Sequence, residues 1–472
     1  MDFFLKVKNN KNILTILIIL ISLSLFIFLL NFDSDSPVLL KFGVIVLLLA
    51  ITGIIIQKLH KMDGGYGILL IRTKKGLELI DTIAKKFPNF WKMFADIGLV
   101  WGFGVLGFYF LIKNSKESLI HNLSAFILGL LLIFFTLIFV MPLIAPLTVS
   151  IISNIDIGAA SQSLAGIKSF EFTQIILMTI LILGGFSFFL IASLILYSGI
   201  VILNLVSVFL GINNAVPIEP SGTLLLPGIN LPFFEGIIAL VILLLVHEAS
   251  HGFLSRLCNP SVKLDSGGLA FFGFIPMGAF IDPDEKDLNE RKDIEQTRVM
   301  VAGSTANIFT MIIAFILLSL FIIGSSPLRE SGYFVIGGEG LPIGTEIYSV
   351  DGKTNLSTLN LTYNQSVIVL TDKGEFIKNI DEKILYSYAT EKGFSPIMKF
   401  KQGFEWLTFV YTTLALILIL NFFVGIMNLI PLPILDGYHI IRINIKNKNL
   451  VKGLMYITII GFISNFIPWI FK

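Results

Sequence analysis

Three ionisable residues inside one apolar segment could carry out chemistry. His247, Glu248 and His251 interrupt residues 235–256, whose sequence EGIIALVILLLVHEASHGFLSR otherwise predicts a membrane-spanning helix. Histidines at positions i and i+4 lie on one helix face, where their imidazole nitrogens can bind a single Zn²⁺. The carboxylate of Glu248 can then take a proton from a water molecule at the metal. The pattern therefore predicts a zinc-dependent hydrolytic site.

Neither chance nor helix packing explains this motif well. With 5 histidines and 32 acidic residues in 472 positions, composition alone predicts roughly 0.004 such matches. Three ionisable side chains in a membrane span are also costly without a metal or a partner. At about 1.5 Å per residue, His247 lies about 18 Å along the helix from Glu235, past the bilayer centre. We therefore expect the site inside the membrane, towards the cytoplasm.

A catalytic zinc site usually has a third protein ligand, which the motif itself does not supply. Asp436 follows Pro431 and Pro433, which remove backbone donors and open the preceding helix. Such an opening is tolerated at membrane depth only where protein or a water cavity satisfies the freed carbonyls. The sequence leaves four candidates for the third ligand: Asp436, His60, His121 and His439. For His439 we expect a side chain that reaches the cytoplasmic headgroups.

Composition places this chemistry in a membrane. Only 14% of residues are charged and 55% are hydrophobic, with a mean hydropathy of +0.87. These values exclude a soluble globular protein, a disordered chain and a nucleic-acid binder. The net charge of +2 predicts no basic surface for phosphates. The single cysteine, Cys258, cannot form an intrachain disulfide.

Nine apolar segments are long enough to cross a bilayer, so we predict a multi-pass protein of the cell membrane. Lysines before the first segment and basic residues in 58–93 predict that both regions are cytoplasmic. On this count residues 325–403, which are rich in short alternating runs, form an external β-rich domain. We interpret residues 197–211 as a tilted extension or a re-entrant piece. The spans lie at about 13–31, 38–57, 95–112, 123–146, 173–196, 232–257, 298–324, 405–427 and 452–471.

These motifs together resemble the site-2 protease family of intramembrane zinc metalloproteases. The resemblance rests on His247-Glu248-x-x-His251 in a span and on Asp436 within Asn-x-x-Pro-x-x-x-x-Asp-Gly, which begins at Asn428. Residues 302–307 are similar to the family's Ala-Gly-Pro-x-Ala-Asn segment, with Ser304 in place of the proline. Residues 274–280 resemble its membrane-embedded β-hairpin, and residues 344–353 resemble a strand and turn of its external PDZ-type domain.

The resemblance implies a fold, a site and a substrate class. The fold is an all-α polytopic membrane protein with a small PDZ-like extracytoplasmic insertion. His247, His251 and Asp436 would bind zinc, Glu248 would activate water, and Asn428 would hydrogen-bond the substrate backbone. Asn307, on the same helix face as Gly303, would orient the site or polarise the scissile carbonyl. The partners would be the lipid bilayer and a membrane-protein substrate, cleaved in or near a transmembrane segment.

The predicted organisation has four regions. They are an N-terminal transmembrane region (1–230), two core spans with the hairpin (231–324), the PDZ-like domain (325–403), and the last core span with a C-terminal span (404–472). Two other functions fit parts of the pattern. One is a membrane-anchored zinc protease with a glutamate as third ligand. The other is a metal or proton transporter that uses the same buried groups; it leaves Glu248, between the two histidines, unexplained.

Overall fold

Helices make up most of the described chain in the computed structural model of this protein. The structure describes residues 2–31, 38–74, 76–151, 171–210, 227–228, 231–329, 333–335, 345–354, 362, 364–371, 374–379, 394–396, 400–465 and 467. The helices are α1 (Asp2–Asn31), α2 (Val38–His60), α3 (Leu77–Lys86), α4 (Pro88–Asn114), α5 (Leu119–Phe135), α6 (Met141–Ile151), α7 (Glu171–Phe209), α8 (Phe233–Leu257), α9 (Glu285–Asn289), α10 (Asp293–Gly324), α11 (Trp406–Met427), α12 (Asp436–Asn444) and α13 (Lys448–Ser464). A π-helical turn, Thr136–Val140, joins α5 to α6.

Eight of these helical stretches are long and apolar enough to cross a membrane, which confirms a multi-pass integral membrane protein. Each overlaps a predicted span. The ninth prediction, 452–471, is only partly described, as the 17-residue helix α13. The stretches are Lys11–Leu29, Gly43–His60, Pro88–Asn114, Leu119–Ile144, Met178–Ser207, Phe233–Leu257, Asp293–Gly324 and Trp406–Met427.

Two long helices are each interrupted at a glycine. Gly104 in α4 has φ 60° and ψ −137°, and Gly185 in α7 has φ 65° and ψ −168°. Both backbones are left-handed, a region that favours glycine because a side chain would clash with the chain itself. Residues 197–209 continue α7 as helix, so the bend in this apolar stretch is at Gly185, outside the segment that we interpreted as a possible re-entrant piece.

The chain divides into two compact units. The first comprises Met1–Ala95 and Leu226–Asn307, and it contains a four-stranded antiparallel sheet in the order β1-β2-β3-β4. Strands β3 (Leu264–Phe272) and β4 (Ile275–Pro283) are the hairpin that the resemblance implied. Strands β1 (Asp63–Gly65) and β2 (Ile68–Thr73) come from the basic loop after α2 and pair with β3. This leaves β4 as an edge strand, which packs against α8.

Arg72 links strand β2 to strands β3 and β4 of this sheet. Its Nη1 donates to Asp282 Oδ2 and to Ser266 Oγ, each at 2.7 Å, and its guanidinium lies 5.2 Å from the centroid of the Phe280 ring. Gly268 lies between Arg72 and Phe280 in the sheet register and has no side chain in the way. The pair with Asp282 also raises the pKa of Arg72. Arg72 therefore anchors the end of edge strand β4 that carries Asp282 to strand β2.

The second unit comprises Asp96–Leu225 and Ile308–Lys472 and contains a five-stranded antiparallel sheet in the order β8-β7-β6-β5-β9. The prediction of β structure within residues 325–403 is confirmed in this coarse form. A PDZ fold and a location outside the cell stay predictions. The strands are β5 (Tyr333–Val335), β6 (Glu346–Val350), β7 (Ser366–Thr371), β8 (Gly374–Asn379) and β9 (Phe394–Pro396).

Candidate metal centre

The two histidines of α8 converge on one point. Their Nε2 atoms are 3.2 Å apart, and the rings meet edge to face with centroids 4.8 Å apart. Two nitrogens bound to one Zn²⁺ at about 2.1 Å in tetrahedral geometry are about 3.4 Å apart. His247 is buried and His251 is partly buried. The spacing in sequence thus produces a pair of nitrogen donors at the separation that a single zinc ion requires.

Three residues on one face of α10, spaced four apart in sequence, lie against these two imidazoles. Val299 accepts a hydrogen bond from His251 Nδ1 through its carbonyl oxygen at 2.7 Å. A methyl group built on Gly303 would overlap Nε2 of both histidines. Asn307 places its side-chain amide 3.1 Å from His247 Nδ1. Because positions i, i+4 and i+8 share a helix face, α10 supplies an acceptor, an open space and a polar side chain to the same site.

The contact between Asn307 and His247 determines which imidazole nitrogen is available for a metal. The assigned amide orientation puts Nδ2 against His247 Nδ1 and leaves the buried Oδ1 without a partner among the described residues. Oxygen and nitrogen of an amide are assigned from the hydrogen-bond network. Exchanging them gives Oδ1 a donor, the Nδ1–H of His247, and leaves Nε2 as the nitrogen that can bind a metal. Metal-bound histidines usually have such an acceptor on the other nitrogen.

Replacement of Asn307 should therefore weaken metal binding. We expect Asn307→Leu to raise the zinc dissociation constant about 10- to 100-fold, as is typical when an acceptor behind a metal-bound histidine is lost. Asn307→Asp keeps an oxygen opposite His247 Nδ1 and should bind zinc much more tightly than the leucine variant. Competition with a fluorescent chelator measures both constants. Equal constants for the leucine variant and the wild type would contradict this role.

Glu248 lies beside the edge strand of the sheet. Its Oε2 accepts a hydrogen bond from the backbone N–H of Ile281 in β4 at 3.2 Å. Ile281 therefore directs its N–H away from β3, towards α8. The carboxylate is next in sequence to His247, and it reaches the free edge of the hairpin. A carboxylate and the edge of a strand thus occur together in the first unit.

Asp436, the predicted third ligand, belongs to the second unit. Two imidazoles and one carboxylate form a donor set typical of catalytic zinc, and the role of Asp436 stays a prediction. The space beside Gly303 and the 3.2 Å separation of the nitrogens fit a bound ion of that size.

Asn428 lies at the other end of the segment that leads to Asp436. Its backbone carbonyl accepts a hydrogen bond from the N–H of Gly437 at 2.7 Å. Asn428 is partly buried, and its predicted role in binding substrate stays a prediction.

The remaining candidate ligands make other contacts. His60 Nε2 is 2.6 Å from Thr15 Oγ1, and His121 Nε2 is 2.8 Å from Asp96 Oδ2. His439 is partly buried and packs against the ring of Tyr438. Burial raises the pKa of the Cys258 thiol to about 12, so this residue stays a neutral thiol. Among these described residues, the convergent ring nitrogens are those of His247 and His251.

Three features of the site were missed in the sequence. They are the acceptor role of Val299, the steric role of Gly303 and the contact between Ile281 and Glu248. The spacing of 299, 303 and 307 at four-residue intervals was a usable signal, because these positions share one helix face. The carbonyl of Val299 and the N–H of Ile281 are backbone groups, which side-chain chemistry cannot reveal. The loop sequence DGGYG before ILLIRT was a turn and strand signal for β1 and β2.

The helical membrane fold and this site define a class, that of multi-pass membrane proteins with a His-Glu-x-x-His metal group. Residues 235–466 match the model of peptidase family M50. This family is the site-2 protease family, so the resemblance found in the sequence is confirmed over these residues. The chain is also 26% identical over 216 residues to the uncharacterized protein MJ0971 of Methanocaldococcus jannaschii. That match covers 44% of this chain and 57% of the relative.

Proposed function

We propose that this protein is an intramembrane zinc metalloprotease that cleaves peptide bonds in or near transmembrane segments. The observation that carries the proposal is the convergence of the His247 and His251 Nε2 atoms at 3.2 Å. The match of residues 235–466 to the model of peptidase family M50 supports a metallopeptidase. Eight helices that could span a membrane support its location in a lipid bilayer.

The chemistry divides between the metal and the side chains. Zinc, when bound, would lower the pKa of water and polarise the scissile carbonyl. His247, His251 and Asp436 would hold the ion, and Asn307 and Val299 would orient the two imidazoles. Glu248 would take a proton from the attacking water at a carboxylate oxygen and give it to the leaving amine.

The substrate would bind as an added strand on β4. Strand β3 is paired on both sides, by β2 and β4, so its edges are occupied. The free edge of β4 includes Ile281, whose N–H already meets Glu248. A peptide held in this way is extended, so its carbonyl is no longer occupied by a helical hydrogen bond. Asn428 is proposed to hydrogen-bond the exposed backbone of this peptide, and a membrane-spanning protein is the proposed partner.

The alternatives have less support. A glutamate as third ligand is not favoured, because Asp436 follows the proline-opened segment in its own motif and lies within the residues that match peptidase family M50. A transporter has no need of a carboxylate between the two metal-binding histidines, whereas hydrolysis requires one.

Cleavage of a defined membrane segment tests the proposal. The purified protein in lipid vesicles is mixed with single-pass peptides whose transmembrane helices differ in glycine and proline content. Mass spectrometry then identifies products. We expect cleavage within or next to a helix-weakened segment, abolished by a zinc chelator and restored by Zn²⁺. Cleavage that survives the chelator, or no cleavage by zinc-loaded protein of any peptide, would contradict the proposal.

A further inference from the structure

The segment that leads to Asp436 contains a buried carbonyl that its own helix cannot satisfy. In a continuous helix the carbonyl of Leu429 would accept the N–H of residue 433, but Pro433 has none. Leu429 is fully buried, so an unpaired carbonyl there would be costly. Ser187, also fully buried, donates its hydroxyl to this oxygen at 2.7 Å. A residue of α7 thus replaces the hydrogen bond that the proline removes.

The position of this carbonyl affects the metal-binding end of the segment. The N–H of Gly437 donates to the carbonyl of Asn428, which closes residues 428–437 into a loop. A Cβ on Gly437 would overlap the carbonyl oxygen of Leu429, so these two backbones are in close contact. Gly437 follows Asp436 directly. Movement of Leu429 would therefore move the backbone that carries the third ligand.

The glycine interruptions of α4 and α7 lie at the same place. A Cβ on Gly102 would come within 2.7 Å of Leu429 Cδ1, and a Cβ on Gly185 would overlap the backbone of Gly102. Next to them, the rings of Trp101 and Phe186 stack with centroids 4.4 Å apart. The backbones of the two interrupted helices are therefore in direct contact at these glycines, next to the side chain of Leu429.

Contacts along α4 show that its chain reverses at Gly104. Asp96 Oδ2 lies 2.8 Å from His121 Nε2, and further along both helices Trp101 Nε1 donates to Thr136 Oγ1 at 3.2 Å. Because both contacts advance in the same chain direction, the first half of α4 runs parallel to α5. If α4 were straight, the short connection 115–118 would make the two helices antiparallel. A Cβ on Gly107 would also overlap the carbonyl oxygen of Leu99, which a straight helix would place about 12 Å away.

We propose that α4 is a re-entrant hairpin and that its glycine tip, together with Ser187 of α7, braces the loop that carries Asp436. The hairpin enters and leaves the bilayer on the side of the basic loop 58–93. Its second half ends beside α12, where Asn114 Nδ2 donates to Asn444 Oδ1 at 2.9 Å. Ser187 is then a positioning residue for the metal ligand. The role of the brace rests on the proposed zinc site. The hairpin in α4 does not depend on that site.

Removal of the Ser187 hydroxyl tests the brace. We expect Ser187→Ala to raise the zinc dissociation constant roughly tenfold, since the Leu429 carbonyl loses its partner. The matched control is Ser193→Ala, because Ser193 donates only within its own helix, to Phe189 at 2.9 Å; its zinc constant should equal that of the wild type. Melting temperatures with and without zinc separate local positioning from general loss of stability. An unchanged constant, or an unchanged zinc-induced melting shift, in Ser187→Ala would overturn the brace.

Topology can be measured without zinc, because the chain has a single cysteine. In a Cys258→Ser background, single cysteines replace two exposed residues, Lys116 after the hairpin and Lys85 in the basic loop. A membrane-impermeant maleimide is applied to intact and to permeabilised cells. We expect the Lys116→Cys variant to be labelled under the same condition as the Lys85→Cys variant, because a hairpin leaves both residues on one side of the membrane. Labelling of one variant in intact cells and of the other only after permeabilisation would show a full crossing and overturn the hairpin. A wild type that binds no zinc would instead contradict the proposed function.

Discussion

Glu248→Gln should keep its zinc and lose about a thousandfold in the rate of peptide cleavage. The amide cannot accept the proton of the attacking water, and general base catalysis typically contributes 10²- to 10⁴-fold. Zinc affinity should change little, because the proposed ligands are His247, His251 and Asp436 and the amide is close in size to the carboxylate. The experiment measures zinc content and cleavage of the same membrane peptide in parallel.

Glu235→Gln is the matched control for this variant. It makes the same chemical change in the first turn of α8, twelve residues before the motif, and should retain both zinc and activity. Glu248→Gln with undiminished cleavage would contradict the role of this carboxylate. Loss of zinc from Glu248→Gln would contradict the proposed donor set, because Glu248 would then contribute to binding the ion.

Gly303→Ala should strongly weaken zinc binding while leaving the rest of the fold intact. The added methyl group would occupy the space in front of Nε2 of His247 and His251. Overpacking of this kind typically costs about 1–3 kcal/mol, and each 1.4 kcal/mol is a factor of ten in affinity. We therefore expect zinc binding about a hundredfold weaker, and loss of cleavage at zinc concentrations that saturate the wild type.

Gly324→Ala is the control for this change. It is in the same helix α10, and a Cβ there meets nothing within 4 Å. Zinc affinity and cleavage should match the wild type. The melting temperature of the metal-free protein shows whether Gly303→Ala still folds. A folded Gly303→Ala variant with wild-type zinc affinity would contradict the geometry of this site.

The sequence was informative where chemistry depends on side chains at short spacing. The separation of His247 and His251 predicted a shared helix face, and the structure brings their nitrogens to 3.2 Å. The prolines before Asp436 predicted an opened helix, and α11 ends at Met427. Apolar length predicted the membrane spans, because hydrocarbon thickness determines how many residues a helix needs. The catalytic role of Glu248 and the substrate contacts of Asn428 and Asn307 stay predictions.

Features that depend on tertiary contacts could not be predicted. The pairing of β2 with β3 joins residues about two hundred positions apart, and no local pattern encodes that partner. Glycine in a membrane helix permits close packing as well as reversal, so Gly104 alone does not predict a hairpin. The hydroxyl of Ser187 could equally have bonded within its own helix, as Ser193 does.

Zinc content of the detergent-purified protein tests the central claim most directly. The account predicts one zinc ion per chain in the wild type, and loss or strong weakening of zinc binding in Asp436→Ala, because that variant removes one of the three proposed ligands. Atomic absorption after dialysis measures both proteins without any assumption about the substrate. Zinc retained in full by Asp436→Ala would move the third ligand elsewhere, and a wild type without zinc would contradict the metalloprotease.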